Sequence, residues 1–371
     1  YTETPMPNRR TFLHASAALT GIAFVSCDLL HAQQTQAKPK RRETTVGGKR
    51  ALVIDMHAHC VIPEAMALMG IQMGASSSFR PDLDMMTSVE QRLAIMDAQG
   101  IDMQALSINP FWMKADRETA AKVIELQNRK LAEAVAAYPK RFVAFASVAL
   151  QYPDMAVQQL EDGVKKYGLR GAAIGASVNG DELSDPKFHP FWAKVQELGV
   201  LVFIHPQSDG VTAQLASRLK GNGYLSNVVA YPVETTIALS HLIFEGTLDK
   251  YPRLNICAAH GGGFLPSYMG RSDKGCLTLP SACPGGTHGP IKKNPTDYLK
   301  QMYYDTMVFS PEGIRHLAAE VGASQLVVGT DYPFPWTQTA VDEVLTVPGF
   351  SDEDKRAVLG GTAARLLGIK T

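Results

Sequence analysis

The chain has 371 residues, of which 45% are hydrophobic and 19% are charged, as expected for a globular protein with a sizeable core. Its 36 basic and 36 acidic side chains balance to zero net charge, which gives no support for nucleic acid as a partner. Five scattered cysteines without a CxxC pair exclude a disulfide framework. Cys276 and Cys283 share one Gly/Pro-rich loop, where we expect two free thiols and a local disulfide is the alternative.

The N-terminal residues predict an export signal. The twin arginine, Arg9 and Arg10, precedes a short apolar stretch, residues 15–25, that is too short to span a membrane as a mature helix. Such pairs direct folded proteins through the twin-arginine route, so we expect a signal peptide over residues 1–32 and a periplasmic or otherwise exported protein. An ordinary amphipathic helix is the alternative.

Two further expectations concern the residues after the apolar stretch. The segment that ends in Cys27 loosely resembles a lipoprotein processing box, which would make this cysteine a lipid anchor. The polar, basic residues that follow lack large apolar side chains and predict a disordered linker over residues 33–50. The folded catalytic domain is then expected over residues 51–371.

From residue 51 onward, short apolar runs alternate with longer segments of helical period, which predicts a βα-repeating protein with a parallel sheet. The clearest helices are predicted over 117–139, 154–168 and 232–252. Eight strand–helix repeats fit an α/β fold of the (β/α)8 TIM-barrel type better than an open doubly wound sheet. No glycine-rich phosphate fingerprint follows the first strand. The eight strands are predicted at 52–57, 103–108, 142–148, 171–176, 200–204, 254–259, 302–308 and 326–329.

In a TIM barrel, catalytic residues gather at the carboxyl ends of the strands. The first predicted strand ends in His57-Ala58-His59, the fifth in His205, the sixth in His260 and the eighth in Asp331. Side chains two residues apart on a strand point to the same face, so the two imidazoles of the first strand should converge. The other six histidines lie in the leader, helices or loops, where surface or packing roles are expected.

These strand ends predict a mononuclear metal site formed by His57, His59, His205 and Asp331, with one position open for water or substrate. The donor set suits Zn2+, and Mn2+ or Fe2+ are alternatives. His260 is then available as the acid/base that works on a metal-bound water, and a role as fifth ligand is its alternative. Asp331 is counted among the catalytic residues as well as the ligands.

The order of the motifs HxH, HP, HGGG and GTDYPF resembles the amidohydrolase superfamily, and within it the branch of aminocarboxymuconate-semialdehyde decarboxylase. Segments such as "MDAQGIDMQALSINP", "PVETTIALSHLIFEG" and "GGTAARLLGI" resemble that branch, in its order, over nearly the whole chain after residue 50. The resemblance implies the same four metal ligands, with His260 as the catalytic histidine. It also implies a metal-dependent, non-oxidative decarboxylase of a small aromatic or unsaturated carboxylic acid.

Two other functions remain open from the residues. The first is a metal-dependent hydrolase of a lactone, ester or amide, which would use the same site. The second is a non-catalytic barrel that only binds a ligand, which would be free of metal when purified.

The resemblance also implies substrate-binding roles for two arginines and a partner subunit. Arg92 matches an arginine that holds a substrate carboxylate within the same subunit, and Arg271 matches one that a neighbouring subunit inserts, so a homodimer is expected. A helix-surface position is the alternative for each. The chain differs from the branch at Gln207, where the branch has a tryptophan, and in its twin-arginine leader.

Overall fold

Residues 41–71, 87–283 and 291–370 are described in the computed structural model of this protein. The predicted signal peptide with its twin arginine, the possible anchor at Cys27 and residues 33–40 of the predicted linker lie outside the described residues and stay predictions. The described residues all belong to one compact unit, Lys40–Thr371.

Within the described residues, eight parallel strands follow one another around a closed barrel, which confirms the predicted fold class. The first three strands form one ladder and the last five form another. Parallel bridges from Ala146 to Ala172 and from Ala58 to Tyr332 join the two ladders. The strands are β1 Ile54–His59, β2 Met103–Ser107, β3 Phe142–Ala144, β4 Gly171–Gly175, β5 Leu201–His205, β6 Asn255–Ala258, β7 Tyr303–Asp305 and β8 Leu326–Val327.

Helices alternate with these strands and cover the outside of the barrel. The predicted helix over 232–252 is two helices, because Gly246, with a φ of 77°, lies between them. The main helices are α1 Val89–Gln99, α2 Arg117–Ala137, α3 Pro153–Lys165, α4 His189–Leu198, α5 Ala230–Phe244, α6 Leu265–Thr278, α7 Pro311–Val321 and α8 Thr362–Leu367. Shorter helical segments are Pro63–Ala67, Pro186–Phe188, Val211–Gln214, Leu225–Val228, Thr247–Lys250, His260–Gly262, Pro280–Ala282, Pro295–Leu299, Ala323–Gln325, Ala340–Leu345, Asp352–Arg356 and Ala357–Gly361. Small hairpins pair Thr45–Val46 with Lys49–Arg50, and Ser177–Val178 with Asp181–Glu182.

In the described part of the chain, we find no helix with both the length and the apolar character needed to cross a membrane.

Alternation along the strands separates an inner core from an outer one. On β5, Leu201 and Phe203 pack inside the barrel with alternate residues of the other strands, whereas Val202 and Ile204 pack against the surrounding helices. His205 follows in the inward phase and its ring lies 6.4 Å from that of Phe203. The period-2 pattern therefore places the side chain of His205 in the interior of the barrel, at the carboxyl end of its strand.

In β1, a β-bulge rather than simple alternation turns His57 toward the interior of the barrel. Ile54 and Met56 pack in the inner core, so simple alternation would turn His57 outward. The register of β1 against β2 shifts between Asp55 and Ala58, and the His57 ring lies 5.0 Å from the inward-facing Phe203. A bulge of this kind re-aims the side chains that follow it.

The predicted linker is wrong for its last ten residues, because residues 41–50 are part of the folded unit. Val46 is buried, and the guanidinium groups of Arg41 and Arg50 both pair with the carboxylate of Asp102. The basic residues that indicated a solvated linker are therefore partners for acidic groups of the barrel.

The expectation of free thiols at Cys276 and Cys283 is also wrong, since the two form a disulfide with a Cα–Cα distance of 4.9 Å. The turn Pro280–Ala282 folds the chain back toward the end of α6 and brings the two cysteines together. Cys60 and Cys257 are free and buried.

Candidate metal centre

Four predicted ligands meet at the carboxyl ends of β1, β5 and β8. The ligand atoms of His57, His59, His205 and Asp331 all lie within 4.8 Å of one another, and all four residues are buried. The two Nε2 atoms of His57 and His59 are 2.9 Å apart, and Asp331 Oδ1 lies 3.2 Å and 2.9 Å from them. These are the positions of donors that share one small cation.

Neighbouring side chains orient two of the imidazoles. His57 Nδ1 lies 2.7 Å from Asp305 Oδ2, and His59 Nδ1 lies 3.0 Å from the hydroxyl of Ser107. Because these contacts occupy the Nδ1 atoms, both Nε2 atoms turn toward Asp331. Partners behind the ligands hold the rings and their tautomers in this way in many metal sites.

Charge in the cluster is unbalanced without a cation. Burial lowers the pKa of His57, but the carboxylates of Asp331 and Asp305 outweigh it and raise that pKa to about 10. Burial opposes ionisation of Asp331, yet His57 holds the pKa of this carboxyl well below its usual range. Burial lowers the pKa of His59 and, more strongly, that of His205. The carboxylate thus keeps one proton on His57, in the place where a cation would supply positive charge.

The donor set fits a divalent metal. Among the described residues, Asp331 Oδ1 and His205 Nδ1 are buried and lack a well-aligned hydrogen bond. Buried polar atoms without partners are costly, and coordination of a cation would satisfy them. Three imidazoles and one carboxylate also match the ligands that first-row divalent metals accept.

His260 stands beside this cluster at the end of β6. Its ring centre lies 5.3 Å from that of His57 and 5.1 Å from that of His205. Burial and the positive charge on His57 lower the pKa of His260 to about 4, so the imidazole is neutral at neutral pH. His260 and Asp331 both have positive φ angles, 55° and 57°, which are uncommon for residues with a side chain and are typical of functional sites.

Sequence reasoning missed the residue that connects these groups. Asp305, at the end of β7, accepts hydrogen bonds from the backbone nitrogens of His260 and Gly261, at 3.0 Å and 2.9 Å, besides its contact with His57. The predicted strand 302–308 placed this aspartate in mid-strand. In fact β7 ends at Asp305, and the available signal was the one charged residue inside an otherwise uncharged run.

Two cavities open next to the site. The first, of about 390 Å³, lies beside His260, and we call it the apolar cavity; its lining also contains Val228, Pro232, Phe264, Met307, Val308 and Phe309. The second, of about 240 Å³, lies beside His205 and Asp331, and we call it the metal-side cavity; its lining also contains Asn109, Ser208, Tyr224 and Phe334. Asn227, Tyr231 and Trp336 line both. A further cleft of about 510 Å³ beside the disulfide contains none of the clustered residues.

The two arginines lie in different environments. Arg92 is buried behind His59: it donates to the His59 carbonyl at 2.6 Å and to Gln104 Oε1 at 3.1 Å, and it stacks over the ring of Tyr332. Arg271 is exposed on α6 in the single chain. Neither lines the two cavities among the described residues, so their substrate-binding roles stay predictions.

Comparison with known proteins places this architecture among described enzymes. The sequence model of a family described as "Amidohydrolase" matches residues 54–369. The 2-amino-3-carboxymuconate-6-semialdehyde decarboxylase of Dictyostelium discoideum is 31% identical over 75% of this chain and 76% of its own length. The gamma-resorcylate decarboxylase of Rhizobium radiobacter is 32% identical over 75% of this chain and 86% of its own.

A solved structure with the same fold holds a metal. The dihydroxybenzoic acid decarboxylase of Polaromonas sp. JS666, with bound manganese and the inhibitor 2-nitroresorcinol, superposes with a TM-score of 0.72 at 27% identity, and the match covers 86% of this chain and 97% of that one.

Proposed function

The chain belongs to the amidohydrolase family and is a metal-dependent, non-oxidative decarboxylase; from this premise we propose that its substrate is a small hydroxylated aromatic carboxylic acid. The observation that carries the proposal is the buried cluster of three imidazoles and one carboxylate, which opens beside a neutral histidine onto a cavity with aromatic walls. Decarboxylases of resorcylate and dihydroxybenzoate are among its similar proteins, and these names support a ring with hydroxyl groups.

We propose that His57, His59, His205 and Asp331 hold one Zn2+ ion, with Mn2+ as the alternative that the Polaromonas structure supports. When bound, the cation supplies a Lewis acid that withdraws charge from substrate oxygens. Metal analysis of the purified protein should find about one equivalent per chain, and Asp331→Ala should lower it. Full occupancy after replacement of both His57 and His59 would contradict the assignment.

His260 moves the proton in this proposal. As a neutral imidazole it can accept the proton of a substrate hydroxyl group and then deliver it to the ring carbon that carries the carboxylate. The bond from that carbon to the carboxylate then breaks, CO2 leaves, and the electron pair returns to the ring to form a phenolate, which takes a proton from water. The product keeps one new C–H bond and no oxidant is used.

The test is a substrate screen with the metal-loaded protein. Hydroxybenzoic acids, a muconate-type acid, and representative lactones and esters should be assayed for CO2 release and for acid release in parallel. We expect CO2 from a hydroxybenzoic acid, and in D2O the product should carry deuterium at the vacated ring carbon. Acid release from a lactone or ester without CO2 would instead support the hydrolase alternative.

We propose that the active unit is a homodimer in which Arg271 reaches the neighbouring site. In support, the exposed surface at and near α6 carries large apolar residues beside this arginine, namely Tyr268, Leu277 and Leu279. Arg271→Ala should lower turnover and spare metal content. When inactive Arg271→Ala and His260→Ala chains are mixed, heterodimers should regain activity. Heterodimers that form and stay inactive would contradict the proposal.

We propose export by the twin-arginine route. The Cys276–Cys283 disulfide supports it, because structural disulfides persist mainly in oxidising compartments. Lysine in place of Arg9 and Arg10 should trap the protein in the cytoplasm, and unchanged fractionation would refute the proposal. A membrane-bound exported protein that Cys27→Ser releases would support the lipid anchor.

A further inference from the structure

We infer that Trp336 determines which aromatic acids this enzyme accepts, because its indole is the wall that limits the substrate to a single ring. The inference rests on the proposed decarboxylase function, and it concerns the part of the site that holds the ring of the substrate rather than the carboxylate.

Trp336 and Tyr231 line both the metal-side cavity and the apolar cavity. The ring of Tyr231 lies next to the histidines, 6.2 Å from the ring of His205 and 6.3 Å from that of His260, and is stacked on the latter at 26°. Trp336 is half-buried and contacts Phe309 and Tyr224, which are both exposed, so it forms the solvent side of the passage. A substrate that extends from the metal ligands to His260 therefore passes these two rings.

The indole is held in place from two sides. Phe309 and Tyr224 lie 5.6 Å and 6.4 Å from it, with interplanar angles of 35° and 34°. Both residues have positive φ angles, 57° and 53°, which bulky side chains rarely adopt and which persist only where the surrounding structure enforces them. The two loops thus keep a strained backbone at the residues that flank Trp336, which indicates that the indole is held in a fixed position.

Polarity assigns an orientation to the substrate. Among the described residues that line the apolar cavity, the titratable side chains are His260 and Tyr231, and none is Lys, Arg, Asp or Glu. The metal-side cavity offers the polar groups of Asn109 and Ser208 next to the metal ligands. The charged end of the acid therefore faces the metal, and the uncharged edge of the ring enters the apolar cavity under Trp336. A second fused ring on that edge would meet the indole.

The test compares two probes that cannot lose CO2 and that differ only by a ring fused on the edge opposite the nitro and hydroxyl groups: 2-nitrophenol and 3-nitro-2-naphthol. Calorimetry with the metal-loaded protein should give a Kd for the two-ring probe about tenfold or more above that of the one-ring probe, the discrimination expected from a rigid apolar wall. Trp336→Leu should lower that ratio about tenfold, and Trp336→Phe should retain most of it. The control Tyr138→Leu changes an exposed aromatic residue at the end of α2 and should have no effect.

Fluorescence gives a second readout. The chain has three tryptophans, and Trp112 and Trp192 are fully buried in the core. A colourless ligand such as benzoate should therefore quench the emission of Trp336 on binding, and Trp336→Phe should bind it without the change in emission.

The outcomes separate this inference from the proposed function. If the wild type binds the one-ring probe and releases CO2 from a hydroxybenzoic acid, but Trp336→Leu leaves the ratio of the two Kd values within about threefold of wild type, the inference about Trp336 is overturned and the proposed function stands. If the metal-loaded wild type binds neither probe and releases no CO2, both fail.

Discussion

Replacement of Asp305 with asparagine should weaken metal binding while the barrel still folds. The carboxylate is fully buried at the end of β7 and accepts four contacts. Oδ2 lies 2.7 Å from His57 Nδ1 and 3.0 Å from the His260 nitrogen, and Oδ1 lies 2.9 Å from the Gly261 nitrogen and 3.1 Å from the Met307 nitrogen. One carboxylate therefore holds both His57, a proposed metal ligand, and the turn that carries His260, the proposed proton-transfer residue.

An amide cannot satisfy all four donors, because one of its two ends is itself a donor. If the NH2 group of asparagine faces His57, it donates to Nδ1 and forces the proton onto Nε2, the nitrogen that should bind the metal. If it faces Gly261 and Met307 instead, the turn after His260 loses two acceptor contacts. Either arrangement also removes the negative charge that favours a cation beside His57.

The expected loss of metal affinity is about 10- to 100-fold, the usual effect of removing a residue that orients a metal ligand. This corresponds to about 1.4 to 2.8 kcal/mol of binding free energy. The two lost hydrogen bonds should also lower the free energy of unfolding of the metal-free protein by about 3 kcal/mol, at the lower end of the range for hydrogen bonds to charged groups.

The assay is competition for the metal with a chelator at pH 7, together with kcat/KM at saturating metal and a urea melt without metal. Asp249→Asn is the matched control, because Asp249 also accepts a backbone N–H, from Lys292 at 2.9 Å, and a side-chain hydroxyl, from Tyr298, without contact to the metal cluster. A metal Kd for Asp305→Asn within about threefold of this control would refute the reasoning.

Three other outcomes are expected. Cys276→Ser should lower the free energy of unfolding by about 2.5 kcal/mol in a urea melt, from the entropy of the short loop that ends at Cys283, and equal stability of oxidised and reduced wild type would contradict this. Gly263→Ala should destabilise by about 2 kcal/mol or more, because the new Cβ would lie 2.1 Å from the Pro232 carbonyl at a φ of 68°; a melting curve like that of wild type would show that the turn can move. The pKa of His57 is about 10 without metal, so its proton must leave when a cation binds. The metal affinity should therefore rise about tenfold per pH unit from about pH 6 to 8. A metal Kd that is independent of pH would rule this out.

Local patterns in the sequence were sufficient to predict the repeat of strands and helices and to identify the residues at the strand ends. Apolar runs that alternate with helical periods require a parallel sheet covered by helices, and the carboxyl ends of such strands meet at one face of a barrel. This is why His57, His59, His205 and Asp331, which are spread over 275 residues of sequence, were grouped correctly as neighbours. The family resemblance rests on the same strand ends, since those residues carry the chemistry.

Tertiary structure decided what depends on contacts between distant residues. The bulge between Asp55 and Ala58 turns the first histidine pair inward, and it arises from pairing with β2 rather than from periodicity within β1. Asp305 serves His57 across 248 positions, and Arg41 pairs with Asp102 across 61, so neither partner is visible in a local window. In our inference, Trp336 becomes a wall of the site only because two other loops, which carry Tyr224 and Phe309, meet the loop that carries it. A local sequence pattern reports the preference of a segment for helix, strand or solvent, whereas a buried charge or an aromatic wall is defined by the groups that the fold places around it.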